Sequence, residues 1–165
     1  MDRARRRFFL GKTATSEFRP PWSAAEDEFT RLCTRCGACE HACPTSVIKT
    51  DVAGFPRVAF GESHCTLCGD CVRVCETGAL KATAESAPWD LQAAIGAQCL
   101  CAQNVVCRSC EDSCAQTAIR FRPRLGAAAM PQLDQSSCTG CGACVQACPV
   151  GAITITRTAG EQEAA

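Results

Sequence analysis

The stretch Cys33-Thr34-Arg35-Cys36-Gly37-Ala38-Cys39-Glu40-His41-Ala42-Cys43-Pro44 sets four thiols in one short loop at the spacing C-x2-C-x2-C-x3-C. The same spacing returns at Cys65, Cys68, Cys71 and Cys75, and again at Cys138, Cys141, Cys144 and Cys148. Three crowded thiolates can grip three irons of a cubane, while the fourth points away and reaches a different one. The spacing therefore implies [4Fe-4S] clusters and loops that work in pairs.

A fourth set is irregular. Cys107-x2-Cys110-x3-Cys114 keeps only the last three positions of the pattern, and Glu111 is read at the place of the glycine found elsewhere. Aligning the residues after the last cysteine of each set places it in the repeat: Val47-Ile48, Ala79-Leu80, Ala118-Ile119 and Ala152-Ile153 all lie four and five residues on. Each pair reads as the start of a short strand after a turn. Cys114 supplies the cross-motif ligand that the last motif needs, so four clusters are expected. Their ligand sets are Cys33, Cys36, Cys39 with Cys75; Cys65, Cys68, Cys71 with Cys43; Cys99, Cys107, Cys110 with Cys148; and Cys138, Cys141, Cys144 with Cys114. Cys99 is preferred over Cys101 as the missing first ligand, with Cys101 as the alternative.

The chain has 17 cysteines in 165 residues. An odd count, dense C-x2-C pairs and no secretory leader argue against a disulfide framework, which also needs an oxidising compartment. Zinc sites usually take two C-x2-C pairs across a spacer rather than four thiols in one run. Tyrosine is absent and aromatic residues are 5% of the chain, so side chains alone supply little core. Cluster binding is then part of the folding free energy, and the metal-free chain should be largely disordered. Formal net charge is zero with the thiols neutral. An oxidised cluster brings about +2 to four thiolates, so four loaded sites take the chain to about −8. An acidic loaded protein disfavours nucleic acid as a partner.

The expected fold is α+β: two tandem bacterial-ferredoxin-like modules built of short helices, hairpins and cluster-binding loops. Residues 1–22 read as a basic tail ending in Pro20-Pro21-Trp22, 23–86 as the first module, 87–96 as a linker helix, 97–158 as the second module and 159–165 as a disordered tail. Ser23 and Glu26 read as a capping box opening a helix. Leu91, Ala94 and Ile95 lie at helical spacing before Gly96, with Trp89 packed into the core. Upstream partners, Arg57-Val58-Ala59-Phe60 and Pro131-Gln132-Leu133, can close hairpins through Asp51-Val52-Ala53-Gly54 and Leu125-Gly126. Arg5-Arg6-Arg7-Phe8-Phe9-Leu10 looks like a twin-arginine export motif, but neither an apolar stretch nor a cleavage site comes after it. No apolar run approaches membrane-spanning length, so no membrane insertion and a cytoplasmic location are expected.

Gly37, Gly69 and Gly142 follow the second cysteine of the regular motifs, where positive φ and N–H groups turned toward sulfur are needed. Pro44 and Pro149 follow the last cysteine and direct the chain outward, whereas Glu76 holds that place in the second motif. A carboxylate beside a cluster edge should lower its potential. His41 and His64 read as solvated loop residues.

Beyond the motifs, the sequence resembles the NapF family, ferredoxin-type accessory proteins of the periplasmic nitrate reductase system. The arginine-rich start, Arg19-Pro20-Pro21-Trp22-Ser23, Trp89-Asp90-Leu91-Gln92 with Ile95-Gly96, Cys99-Leu100, and Cys107-Arg108-x-Cys110-x-Asp112-Ser113-Cys114 carry the resemblance. It implies a cytoplasmic factor that binds the precursor of the molybdenum-containing catalytic subunit of that reductase and aids its maturation, iron–sulfur loading included, before export. The alternative is an electron-transfer polyferredoxin between an electron donor and a reductase. Neither reading gives the chain an active site of its own, and no catalytic residue is expected.

Overall fold

Each four-cysteine set ends in a turn whose backbone repeats. The third residue after the last cysteine is left-handed in all four units: Ser46 (φ 54°), Gly78 (72°), Thr117 (50°) and Gly151 (61°). Left-handed φ reverses the chain, and it delivers the adjoining aliphatic pair to the interior. Val47, Ile48, Ala79, Leu80, Ala118, Ile119, Ala152 and Ile153 are all buried. Each larger aliphatic side chain contributes roughly 1.5–3 kcal/mol by leaving water. A computed structural model describes residues 18–83 and 86–158, so both the basic tail up to residue 17 and the carboxyl-terminal tail lie outside the described residues.

Among the described residues the architecture is α+β, with short helices and three two-stranded antiparallel sheets. In chain order the elements are α1 (Glu26–Leu32), α2 (Ala38–His41), β1 (Ile48–Thr50), β2 (Pro56–Val58), α3 (Asp70–Arg73), β3 (Leu91–Ile95), a 3₁₀ turn (Leu100–Gln103), α4 (Ser109–Asp112), β4 (Ile119–Arg124), β5 (Ala127–Leu133), α5 (Ala143–Ala147) and β6 (Ile153–Arg157). β1 pairs β2 and β4 pairs β5 as the two expected hairpins. Asp51 closes the first by accepting the N–H groups of Ala53 and Phe55 at 2.8 and 2.9 Å. The aliphatic pair after Cys75 forms no strand; Leu80 makes a single bridge with Ser23.

Two local expectations are corrected. The segment read as a linker helix is strand β3, paired with β6 from Leu91↔Arg157 to Ile95↔Ile153. Leu91 and Ala93, two apart, are its buried residues. In Leu-Gln-Ala-Ala-Ile the alanines fit either period, and the decision falls to β6, which has no hairpin partner of its own and must cover Ile153 and Ile155. The expected capping box is also absent. Helix α1 starts after Ala25 without a side-chain cap, Ser23 Oγ donates to the Pro20 carbonyl at 2.7 Å, and Glu26 is taken by Arg19 at 2.8 Å.

Residues 18–24, read partly as tail, are stitched into the fold. Val58 N–H donates to Phe18 O (2.7 Å), Lys81 N–H to Trp22 O (2.9 Å) and Ala24 N–H to Ala79 O (3.0 Å). In both halves of the chain a segment ahead of the first motif thus meets the segment after the last. Between halves, the Phe60 ring lies over Gly142, where an added Cβ would be 2.2 Å from it. Trp89 meets Phe60 edge-on at 5.9 Å and donates to Thr139 O at 2.7 Å, which agrees with its expected place in the core.

Arg19 gathers the first half. It reaches Glu26, Asp51 (3.3 Å) and the Pro56 carbonyl (3.2 Å), and its guanidinium lies 5.1 and 5.3 Å from the rings of Phe29 and Phe55. The Arg19 hydrogen bond holds Glu26 below the ordinary carboxylate range. Burial pushes Asp51 up, but the Phe55 and Ala53 N–H groups and Arg19 together hold it low. Lowered carboxylates stabilise at neutral pH, and that contribution fades as pH falls through their lowered values. Replacing Arg19 with Met removes the cation hydrogen-bonded to both and should destabilise the loaded protein by about 2 kcal/mol. The check is the denaturant midpoint at which cluster absorbance is lost; an unshifted midpoint contradicts the expectation.

Candidate iron–sulfur centres

The left-handed glycines start the helices that carry the third cysteine of each regular motif. Gly37 (φ 76°), Gly69 (79°) and Gly142 (84°) cap α2, α3 and α5, which hold Cys39, Cys71 and Cys144. In the irregular unit α4 holds Cys110, and its N-cap is Arg108 at φ −132°. Arg108, not Glu111, occupies the place of the glycine, and the loop is built without a left-handed residue there.

The cysteines surround four cavities. One is lined by Cys33, Cys36, Cys39 and Cys75; the second by Cys43, Cys65, Cys68 and Cys71. Cys114, Cys138, Cys141 and Cys144 line the third, and Cys99, Cys107, Cys110 and Cys148 the fourth. In each case three cysteines come from one unit or its upstream segment and one from the paired unit. Among the described residues no group of three or more His, Cys, Asp or Glu converges as the ligands of a single metal ion. Each cavity thus has the four-thiol donor set that a [4Fe-4S] cluster takes. Loaded with such clusters, these cavities would supply one-electron chemistry or iron and sulfide.

Cys101 stands apart from all four. It is buried, and its thiol donates to the Cys107 carbonyl at 3.2 Å. Burial, with Cys99 and Cys107 close by, pushes that thiol up. His64 is half-buried rather than solvated, 3.2 Å from Gln146 Oε1; His41 is exposed, as expected. Glu76 is an exposed residue on the rim of the first cavity.

Backbone N–H groups already point at sulfur. Leu67 donates to Cys65 Sγ (3.4 Å), Leu80 to Cys75 Sγ (3.4 Å) and Ala152 to Cys148 Sγ (3.2 Å). Such bonds help set cluster potentials. Sequence reasoning missed the junction between halves, where Cys65 N–H donates to Cys141 O at 2.8 Å and Gln146 Nε2 to Glu62 O at 2.9 Å. No motif marks it, because its contacts run to backbone carbonyls across distant segments. A polar hollow bounded by Arg19, Glu26, Asp90 and Arg157 is lined by no cysteine and holds two ion pairs.

Burial first, then neighbouring thiols, push Cys144 up to about 12, and burial is likewise the largest cause at Cys71, also raised to about 12. Cys39, Cys65 and Cys110 rise to about 11, again chiefly through burial. Burial also opposes ionisation of Cys43, but the N–H groups of Ile48 and Val47 and the Thr45 hydroxyl outweigh it and lower that thiol. Raised thiols are protonated near neutral pH, so loading must release protons and becomes more favourable as pH rises. Reconstitution in weak buffer should acidify the solution, by a margin larger at pH 7 than at pH 10. A pH-independent yield without proton release would contradict this.

Comparison with known proteins agrees with the geometry. A 4Fe-4S dicluster domain matches residues 32–79, and a 4Fe-4S binding domain matches residues 131–154. The ferredoxin-type protein NapF of Escherichia coli K12 is 42% identical over 93% of this chain and 94% of its own length. Its namesake in Haemophilus influenzae is 42% identical, covering 92% of each chain. The methylamine utilization ferredoxin-type protein MauM of Methylophilus methylotrophus is 31% identical over 82% of this chain and 67% of its own. With the similarity spanning the segments between the motifs as well as the motifs themselves, this chain belongs to the NapF family of ferredoxin-type iron–sulfur proteins.

Proposed function

We propose that the chain holds four [4Fe-4S] clusters in two tandem ferredoxin-like modules and assists maturation, in the cytoplasm, of the molybdenum-containing catalytic subunit of periplasmic nitrate reductase before its export. The observation that carries the cluster reading is the division of sixteen cysteines among four cavities, four to each. The client is carried by similarity to NapF proteins across nearly the whole chain. In this reading the cysteines are ligands, none is a nucleophile, and the chain catalyses no reaction alone. No helix among the described residues is long and apolar enough to cross a membrane. The basic residues Arg3, Arg5, Arg6 and Arg7 form a docking arm for the client precursor.

A second reading, an electron carrier between a donor and a reductase, draws support from the Cys65–Cys141 hydrogen bond, which brings a wall of the second cavity against a wall of the third. Client binding separates the two. Co-purification with the unexported catalytic precursor, lost on deleting residues 1–17, is the outcome expected of a maturation factor. Rapid reversible reduction with no precursor bound would favour the carrier. Deletion should stop at residue 17, because Phe18 and Arg19 belong to the folded part.

The ligand sets are tested by iron analysis. The intact protein should carry about sixteen irons and as many labile sulfides. Cys99→Ser should lose about a quarter of them, whereas Cys101→Ser keeps all. About twelve irons in the intact protein, or loss at Cys101 instead of Cys99, would contradict the assignment.

A further inference from the structure

The outward face of the β4–β5 hairpin is cationic. Arg120 and Arg122 are exposed, and their cross-strand partners are Gln132 and Met130. Side chains two apart on a strand share a face, so the two guanidiniums stand side by side with no carboxylate opposite either. Arg124, past the register shift, donates to the carbonyls of Ala128 (3.0 Å) and Cys101 (3.1 Å). Arg19, Arg31, Arg73, Arg108 and Arg157 each pair with a carboxylate, whereas among the described residues the three hairpin arginines have none. On the adjoining segments Glu111 is taken by Arg108, Asp112 pairs with none of the three, and Asp134 accepts the Ser136 and Ser137 hydroxyls at 2.7 Å.

Charge on an outer strand discourages unwanted edge pairing, but that does not account for the apolar side chains at the tip. Leu125, Val105 and Val106 are three of the six exposed large apolar residues among the described ones. Two hydrogen bonds hold the 100–106 segment to the hairpin: Arg124 to Cys101 O, and Ala128 N–H to Asn104 Oδ1 at 2.6 Å. Val105 and Val106 therefore adjoin the hairpin near its tip. Cations and exposed apolar side chains meet at one corner of the second half.

We propose that this face is a docking surface for an acidic segment of a partner protein, its carboxylates on Arg120 and Arg122 and an apolar side chain against Leu125, Val105 and Val106. The planar guanidinium fork binds a carboxylate through two N–H groups at once. Loaded iron–sulfur sites leave the chain as a whole acidic. An extended anionic surface, lipid or nucleic acid, meets that whole charge, whereas a short acidic segment meets the two arginines within a screening length of about 8 Å. Phe121, between them in sequence, lines the fourth cavity from the other face of the strand. A protein docked here lies one strand layer from that site, and the surface uses none of the basic residues at the amino terminus.

The probe is a fluorescent peptide of alternating glutamate and leucine that carries a photo-crosslinking group, with a glutamine-for-glutamate version as control. It is added without oxygen to the loaded full-length protein, and binding is read by anisotropy. The glutamate peptide should bind, the glutamine peptide should not, and Arg120→Gln/Arg122→Gln should bind about tenfold more weakly at unchanged iron content. Leu125→Ser should weaken binding by a smaller factor. Should the double variant fail to load, mass analysis of the crosslinked wild-type protein decides, with adducts expected between Leu100 and Leu133. Equal binding by the double variant, equal binding of the glutamine peptide, or adducts confined to other residues would overturn the proposal. Binding seen only after deletion of residues 159–165 would assign the face to the chain's own Glu161 and Glu163 and overturn it. Arginine-dependent capture by phosphatidylglycerol vesicles without peptide binding would make it a lipid surface instead, and overturn it too.

Discussion

Four sulfur ligands must surround each cubane, and a C-x2-C-x2-C loop can bend only three of them around one space. The fourth cysteine comes after a short helix and faces the neighbouring space. Cys43 and Cys75 exchange places between the first two cavities, and Cys114 and Cys148 between the other two. Strand pairing serves the same constraint. The turn after each fourth cysteine is left-handed, and the buried aliphatic pair behind it fixes where that sulfur lies.

The cluster loops were legible because ligand chemistry tolerates little variation in spacing. The aliphatic pairs were legible for the same reason: each lies at a fixed offset from the last cysteine of its set. The irregular unit could be placed only through that offset, since Arg108 removes the glycine signal. Cys99 lines the fourth cavity, whereas Cys101 turns its thiol toward the Cys107 carbonyl. Local sequence carries no mark of that choice.

Elsewhere, tertiary demand overrode local pattern. Leu91–Ile95 is short and rich in alanine, so its period is ambiguous, and the exposed edge of β6 made it a strand. Glu26 had the right spacing from Ser23 for a cap, but Arg19 offered a charged partner and two aromatic faces beside it. The contact between halves depends on Phe60 and Gly142, which are far apart in sequence and belong to no shared motif. Motif spacing points to [4Fe-4S] clusters, whereas similarity across the segments between the motifs places the chain in the NapF family.

Crossed ligation is tested most directly by a crystal structure of the loaded protein with data collected at the iron absorption edge. The account predicts four iron clusters per chain, with Cys75 bound to the cluster of Cys33, Cys36 and Cys39, and Cys148 to that of Cys99, Cys107 and Cys110. Clusters each closed by the fourth cysteine of their own motif, or only three clusters, would contradict it.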